Sequence, residues 1–158
     1  MRIGISGHRG FDAETTRLIE EALREQLRQY ADAELTGVSC LADGADQLFA
    51  QAVLDLGGIL RVIIPGAGYR DALPEDARDA YDALLARAEV LAELDGPGTT
   101  SEAHMAASVA MLENIDALFA VWDGKPARGY GGTADVVNEA RARRLPVTVV
   151  WPDGARRD

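Results

Sequence analysis

The stretch Ile115–Ala140, IDALFAVWDGKPARGYGGTADVVNEA, decides the fold. It reads as a strand, a glycine-rich loop and a helix. Ala117–Trp122 is a short apolar run, the composition of a strand covered on both faces. Asp123–Gly131 holds Gly124, Pro126 and Gly129, which interrupt helix and ladder alike. Gly132 and Thr133 then open a helix whose stripe is Thr133, Val136, Val137 and Ala140. A helix start leaves N–H groups without partners and carries a partial positive charge. Gly131 and Gly132 lack Cβ atoms, so a ligand can approach that backbone closely. An anion there gains roughly 0.3–1 kcal/mol when exposed and ~2 kcal/mol when partly buried. The expectation is a phosphate or carboxylate held by the amides of Gly131, Gly132 and Thr133. The plain alternative is a tight strand-to-helix turn with no ligand.

The same alternation runs outward from that stretch. Met1–Ser6 reads as a strand, followed by the loop Ser6-Gly7-His8-Arg9-Gly10. Asp12 is placed to cap a helix with Ile19, Ala22, Leu23, Leu27 and Tyr30 on its stripe. Thr36–Leu41 is a second strand, and Ala42-Asp43-Gly44-Ala45-Asp46 turns into a helix with Ala45, Leu48, Phe49, Ala52, Val53 and Leu56 in phase. Gly57-Gly58 stops that helix, and Ile59–Ile64 is a third strand. Pro65–Arg70 forms a loop before a helix from about Pro74, with Tyr81, Leu84, Leu85 and Ala88 inward. Glu89–Leu94 alternates as a strand does, although it could also extend the preceding helix. The strand reading places Asp95–Gly98 where every other strand ends in a loop. Thr100 or Ser101 caps a helix facing inward through Met105, Ser108, Val109 and Leu112, and Val147–Trp151 is a last strand. Pro152–Asp158 reads as a frayed end.

Strands alternating with helices specify βαβ units. The fold expected is α/β: three layers, with a mainly parallel central sheet of about six strands between helices, in a single domain over residues 1–158. Ligands of such sheets bind beyond the carboxyl ends of the strands, near a reversal of strand order. The loops Ser6–Gly10, Ala42–Asp46, Pro65–Arg70, Asp95–Gly98 and Asp123–Thr133 all fall on that edge. The opposite loops, such as Ala31–Leu35 and Gly57–Gly58, hold little but turn residues and surface polar groups.

Composition narrows the function. Hydrophobic residues make up 47% of the 158, enough for a real core. The formal net charge of −10 argues against a nucleic-acid binder, which needs a basic face, so no nucleic-acid partner is expected. Cys40 is the single cysteine, which excludes an internal disulfide, and two histidines, His8 and His104, make no zinc site. No run approaches the ~20 apolar residues of a membrane helix, so no membrane partner and a cytoplasmic setting are expected. Neither a G-x-G-x-x-G after the first strand nor a Walker A sequence around Lys125 is present. No cofactor is expected.

Within the loops, Ser6, Gly7, His8 and Arg9 could reach a phosphate or sugar, and Arg70 lies on the same edge. Lys125 and Arg128 could close over an anion. Asp43, Gly44 and Asp46 start the second helix, where acidic caps are routine; hydrogen bonding to ribose hydroxyls is the functional alternative. Trp122, Tyr69 and Tyr130 could stack on a base or simply pack. Glu102, Asp43 and Asp135 are the candidate acids or bases should the protein be an enzyme.

Ser6-Gly7-His8-Arg9, Ala42-Asp43-Gly44-Ala45-Asp46, Trp122-Asp123-Gly124 and Gly131-Gly132-Thr133-Ala134-Asp135-Val136-Val137 resemble the SLOG superfamily over nearly the whole chain. These are Rossmann-like proteins related to the LOG cytokinin-activating enzymes and to the DNA-processing protein A family. The resemblance implies a nucleotide or nucleotide-derived ligand over the glycine loop, and a homodimer packed through helices. The LOG loop reads P-G-G-x-G-T-x-x-E, and its glutamate and a helix arginine serve release of a base from a nucleoside monophosphate. Gly131, Gly132 and Thr133 match that loop, whereas the glutamate position falls on Val136, next to Asp135, and the arginine on about Ala107. The phosphate cradle carries over and the catalytic pair does not. Ligand binding is therefore the leading reading, with an N-glycosidic hydrolase of nucleoside monophosphates as the alternative. The resemblance to DNA-processing protein A also raises single-stranded DNA, which the charge disfavours.

Overall fold

Strands and helices alternate from end to end in a computed structural model that describes residues 1–31 and 34–157. The elements are β1 (Arg2–Gly7), α1 (Ala13–Arg28), β2 (Thr36–Ser39), α2 (Ala45–Asp55), β3 (Ile59–Ile64) and α3 (Tyr69–Ala72). They continue with α4 (Glu75–Ala86), β4 (Glu89–Glu93), α5 (Ser101–Leu112), β5 (Ala117–Val121), α6 (Thr133–Ala142) and β6 (Val147–Val149). The strands form one sheet in the order β4-β3-β2-β1-β5-β6, and every pairing is parallel. The α/β reading of the sequence holds, and Glu89–Glu93 is indeed an edge strand, paired with β3.

Period-2 burial sorts the strand residues to two faces. Ile3, Ile5, Phe119 and Val121 pack with Ile19, Leu23, Leu27 of α1 and Phe49, Val53 of α2. Tyr81 and Leu84 of α4 extend that layer over Leu60 and Val62. Val38, Ile63 and Leu118 pack on the other side with Ala107, Met111 of α5 and Val136, Ala140 of α6. Asp12 caps α1 by accepting from the Thr15 N–H, and Thr100 caps α5 by accepting from the Ala103 N–H.

Four local readings are corrected. β2 stops at Ser39, because Leu41 takes φ 57°, outside the strand region. The Pro65–Arg70 loop runs into the short helix α3, which sinks Tyr69 into the core. The buried positions of α5 are Ala107, Met111 and Leu112, while Met105, Ser108 and Val109 are half-buried. Met111 Sδ lies 3.0 Å from where a Cβ on Gly4 would be, so the bare strand backbone sets the rotation of that helix. The chain's end is docked, not frayed: the Arg156 N–H donates to Thr15 Oγ1 at 3.0 Å and its guanidinium reaches Asp12 at 3.3 Å. Asp158, and residues 32 and 33 of the 31–35 turn, lie outside the described residues.

Candidate functional site

Strand order reverses between β1 and β5. From β1 the chain winds outward through β2, β3 and β4, then crosses to β5 and β6 on the other side. The crevice at the carboxyl ends of these two strands is where an open α/β sheet binds ligands. A cavity of about 550 Å³ opens there. Ser6, Gly7, His8 and Arg9 line it from β1, and Arg128–Thr133 line it from the β5–α6 loop. Cys40, Ala42 and Asp46 contribute from the β2–α2 connection, with Tyr69, His104 and Arg157 completing the wall.

The glycine loop holds itself together with amides that the sequence reading had reserved for a ligand. The Gly131 N–H donates to Asp135 Oδ2 at 2.9 Å, and the Gly132 N–H donates to the Gly129 carbonyl at 3.3 Å. Gly131 has φ 85°, and a Cβ there would sit 3.0 Å from the Ser101 carbonyl. Its glycine character serves the contact with α5 as well as the turn. The α6 ladder begins with the Val136 N–H donating to Gly132. The N–H groups of Thr133, Ala134 and Asp135 have no acceptor among the described residues, so the open donors of α6 lie two residues further along than expected.

Three arginines ring this helix start. Arg9 is held by Asp43, its Nε donating to Oδ1 at 2.7 Å. Arg157 comes from the docked C-terminal tail and lies 3.9 Å from Asp123 Oδ2. Arg128 has no ion pair among the described residues. Among the described residues, Asp46 is the one acidic side chain lining the cavity. Three arginines thus line the cavity against one acid, while Asp43 and Asp123 pair two of them from outside its lining.

His8 is buried, 4% exposed, rather than a solvent loop residue. Its Nε2 accepts the Asp123 N–H at 3.1 Å, and its ring meets Trp151 edge-on. Burial, then Arg157, push its pKa below the usual histidine value, with Arg128 acting the same way against the pull of Asp123. The same Nε2 lies 3.2 Å from Asp123 Oδ1, so the ring meets both the backbone and the carboxylate of Asp123 while burial favours its neutral form. Burial alone would raise the Asp123 carboxyl, but the Lys125 N–H, His8 and Arg157 hold it below the ordinary range. His8 therefore ties the β1 loop to the end of β5. His104 sits edge-on to Tyr69, and burial followed by Arg9 lowers its pKa.

Asp46 stands in the first turn of α2 and is 9% exposed. Its Oδ2 accepts the Ala42 N–H at 3.3 Å. Burial raises its carboxyl to about 7, offset in part by Ala42 and Arg9 and reinforced by Asp43. The left-handed Leu41 sets this turn, with its N–H on Ser39 Oγ and its carbonyl receiving Gln47 Nε2. Cys40, beside it, is pushed upward by burial and then by Asp46, so it is a thiol and not a thiolate.

Ser6, Gly7, His8, Arg9, Gly131, Gly132 and Thr133 come together at the cavity. Asp43, Gly44 and Arg70 do not line it. Asp43 anchors Arg9 from behind. Gly44, at φ 85°, lets α2 press on the β1 loop, where a Cβ would meet the His8 carbonyl at 2.8 Å. Arg70 is clamped by Asp82 through two bonds of 2.7 Å. Trp122 spends its indole N–H on the Lys125 carbonyl. Of the acids considered for catalysis, Glu102 is exposed outside the cavity, Asp43 holds Arg9 and Asp135 closes the glycine loop. Sequence reasoning weighed Asp46 as a cap or a ribose contact without separating it from Asp43, yet it sits three and four residues before the buried Phe49 and Ala50, an acid on an apolar stripe. No local pattern signals Arg157. Among the described residues no group of three or more His, Cys, Asp or Glu could hold a metal ion, and no helix is long and apolar enough to cross a membrane.

No protein-family model matches the sequence, and no curated protein does. Solved structures do resemble it. DNA processing protein A from Streptococcus pneumoniae superposes with a TM-score of 0.67 at 18% identity, over 94% of this chain and 49% of that one. DNA processing protein A from Helicobacter pylori, described for its single-stranded DNA binding mode, gives 0.68 at 14% identity, over 94% and 64%. The Moco carrier protein from Chlamydomonas reinhardtii gives 0.58 at 16% identity, over 98% and 78%. The fold is of the SLOG type. This chain spans about half the length of the Streptococcus protein. The SLOG neighbours overturn one expectation: the exclusion of nucleic acid drawn from net charge fails, because a protein of this fold is described binding single-stranded DNA. Net charge is an average, and binding needs only a local basic face such as the one around Arg9, Arg128 and Arg157.

Proposed function

We propose that the cavity binds a nucleotide or nucleotide-derived small molecule, its phosphate seated at the start of α6 by Thr133, between Arg128 and Arg157. The observation carrying this reading is the convergence of three arginines and an unsatisfied helix start on one 550 Å³ cavity. That volume is in the range of small-molecule sites. Helix amides and guanidinium groups are the donors that phosphate takes. Tyr130, 61% exposed at the mouth, offers a face for a base. The Moco carrier neighbours favour a small ligand in this fold.

Single-stranded DNA is the second reading, favoured by the Helicobacter neighbour and by the exposed Tyr130 beside Arg128, an aromatic platform next to a cation. Melting assays with AMP, a cyclic nucleotide, ADP-ribose and a short oligothymidylate separate the two. Stabilisation by a mononucleotide and not by the oligonucleotide supports the first, and the reverse supports the second. No shift with any of them refutes both. Arg128→Ala, which breaks no ion pair, is expected to weaken the bound ligand about tenfold or more without moving the melting point of the free protein.

A further inference from the structure

We infer that Asp46 selects the ligand, its free carboxylate oxygen accepting a hydrogen bond from a hydroxyl or amino group of the same molecule whose phosphate sits at α6. This rests on the nucleotide reading above. Only one carboxylate oxygen has a protein donor, the Ala42 N–H at 3.3 Å. The other has none among the described residues, although the residue is 9% exposed. No fully buried side-chain oxygen lacks a partner, so this oxygen reaches the cavity that Asp46 lines. A carboxylate that is nine-tenths buried and half-satisfied is costly unless a donor arrives.

The surroundings define the donor. Arg9 is already held by Asp43, so it does not complete the Asp46 shell. Cys40, Tyr69 and His104 stand on the same wall, and none of them hydrogen-bonds Asp46 among the described residues. The carboxylate repels a second phosphate and leaves one acceptor position for a neutral O–H or N–H. A phosphorylated nucleoside carries both ends: the anion for the helix, and ribose hydroxyls or a base amino group for Asp46.

The test is calorimetric titration of the intact chain and of Asp46→Asn with AMP and with inorganic phosphate. Asparagine keeps the acceptor for Ala42 and loses the charge. AMP should bind the variant about ten- to a hundredfold more weakly, the worth of a charge-assisted bond. Inorganic phosphate should bind it equally well or better, because a negative charge has gone. Equal AMP affinity in both proteins, or parallel loss of AMP and phosphate, overturns the inference while leaving the nucleotide site standing. Failure of AMP and phosphate to bind the unmodified chain, with no melting shift from the cyclic nucleotide or ADP-ribose, refutes the nucleotide reading itself. Two analogues locate the donor, 2′,3′-dideoxyadenosine monophosphate and the nucleotide of 6-unsubstituted purine. The analogue lacking it binds the unmodified chain about tenfold or more weakly and is insensitive to Asp46→Asn. Should the variant not fold, the analogues decide on the unmodified chain alone, and equal affinity for AMP and both analogues overturns the inference.

Discussion

Asp46→Asn should make this protein more stable, and by an amount that depends on pH. The buried carboxyl titrates at about 7 against 3.8 for the free side chain. At about 1.4 kcal/mol per unit, that rise is worth about 4 kcal/mol. The sign follows from proton counting. The folded value lies above the unfolded one, so between them the native state holds more protons than the unfolded chain. Stability from this group is present at low pH and drains away as pH climbs toward about 7. Asparagine cannot ionise and keeps the Ala42 bond, so it escapes the loss. Urea unfolding of both proteins should give the variant an advantage of about 1.5–2 kcal/mol near pH 5 and about 4 kcal/mol near pH 8. Other carboxylates titrate alike in both proteins and cancel in the difference. An advantage that is the same at the two pH values, or a variant less stable near pH 8, refutes the argument that burial without a donor is what strains Asp46. Together with a loss of ligand affinity, the gain would show stability given up for binding.

Gly7→Ala puts a Cβ into overlap with the Ala45 Cβ and 2.8 Å from that of Val121, neither of which can rotate away. It should cost about 1–3 kcal/mol in urea unfolding. His8 is neutral when folded and protonates more readily when unfolded, so its share of stability falls as pH drops through 6.5. His104 acts in the same sense and Asp46 in the opposite one, so between about pH 7.5 and pH 5.5 the melting temperature of His8→Asn should fall less, or rise more, than that of the unmodified chain. Arg70→Gln removes an exposed pairing with Asp82 outside the cavity and should leave AMP affinity unchanged by calorimetry.

Legibility in the sequence divides along the range of the forces. β5 and α6 could be read because strand burial and helix amphipathicity repeat every few residues, and Val136, Val137 and Ala140 are buried as their spacing requires. The edge bearing the site could be read because parallel connection places every strand-to-helix loop on one side. Which amides remain open could not, since Asp135 and Gly129 compete for Gly131 and Gly132 through side-chain geometry that spacing does not encode. Asp43 and Asp46 look alike as helix-start acids, yet one pairs with Arg9 at the surface and the other is buried. Telling them apart from sequence requires noticing that Asp46, not Asp43, is in phase with Phe49 and Ala50. Arg157 joins the site through contacts of its neighbour Arg156 with Thr15 and Asp12, more than 100 residues away in the chain.

Charge shows the same division between an average and a place. A net charge of −10 sets the long-range field, which salt screens within about 10 Å. What an arriving phosphate meets inside that distance is Arg9, Arg128 and Arg157 near the start of α6, with Asp46 on the cavity wall and Asp43, Asp123 and Asp135 engaging Arg9, Arg157 and the Gly131 amide. The many ion pairs of α1, such as Arg17 with Glu14 and Glu21, neutralise one another at the surface and say nothing about the crevice. Net charge therefore does not decide between a small anion and a strand as the partner of this crevice. A mononucleotide would make one or two phosphate contacts in the crevice, whereas a strand would make several. The salt dependence of binding reads this difference: modest for a mononucleotide, steep for a strand making several phosphate contacts.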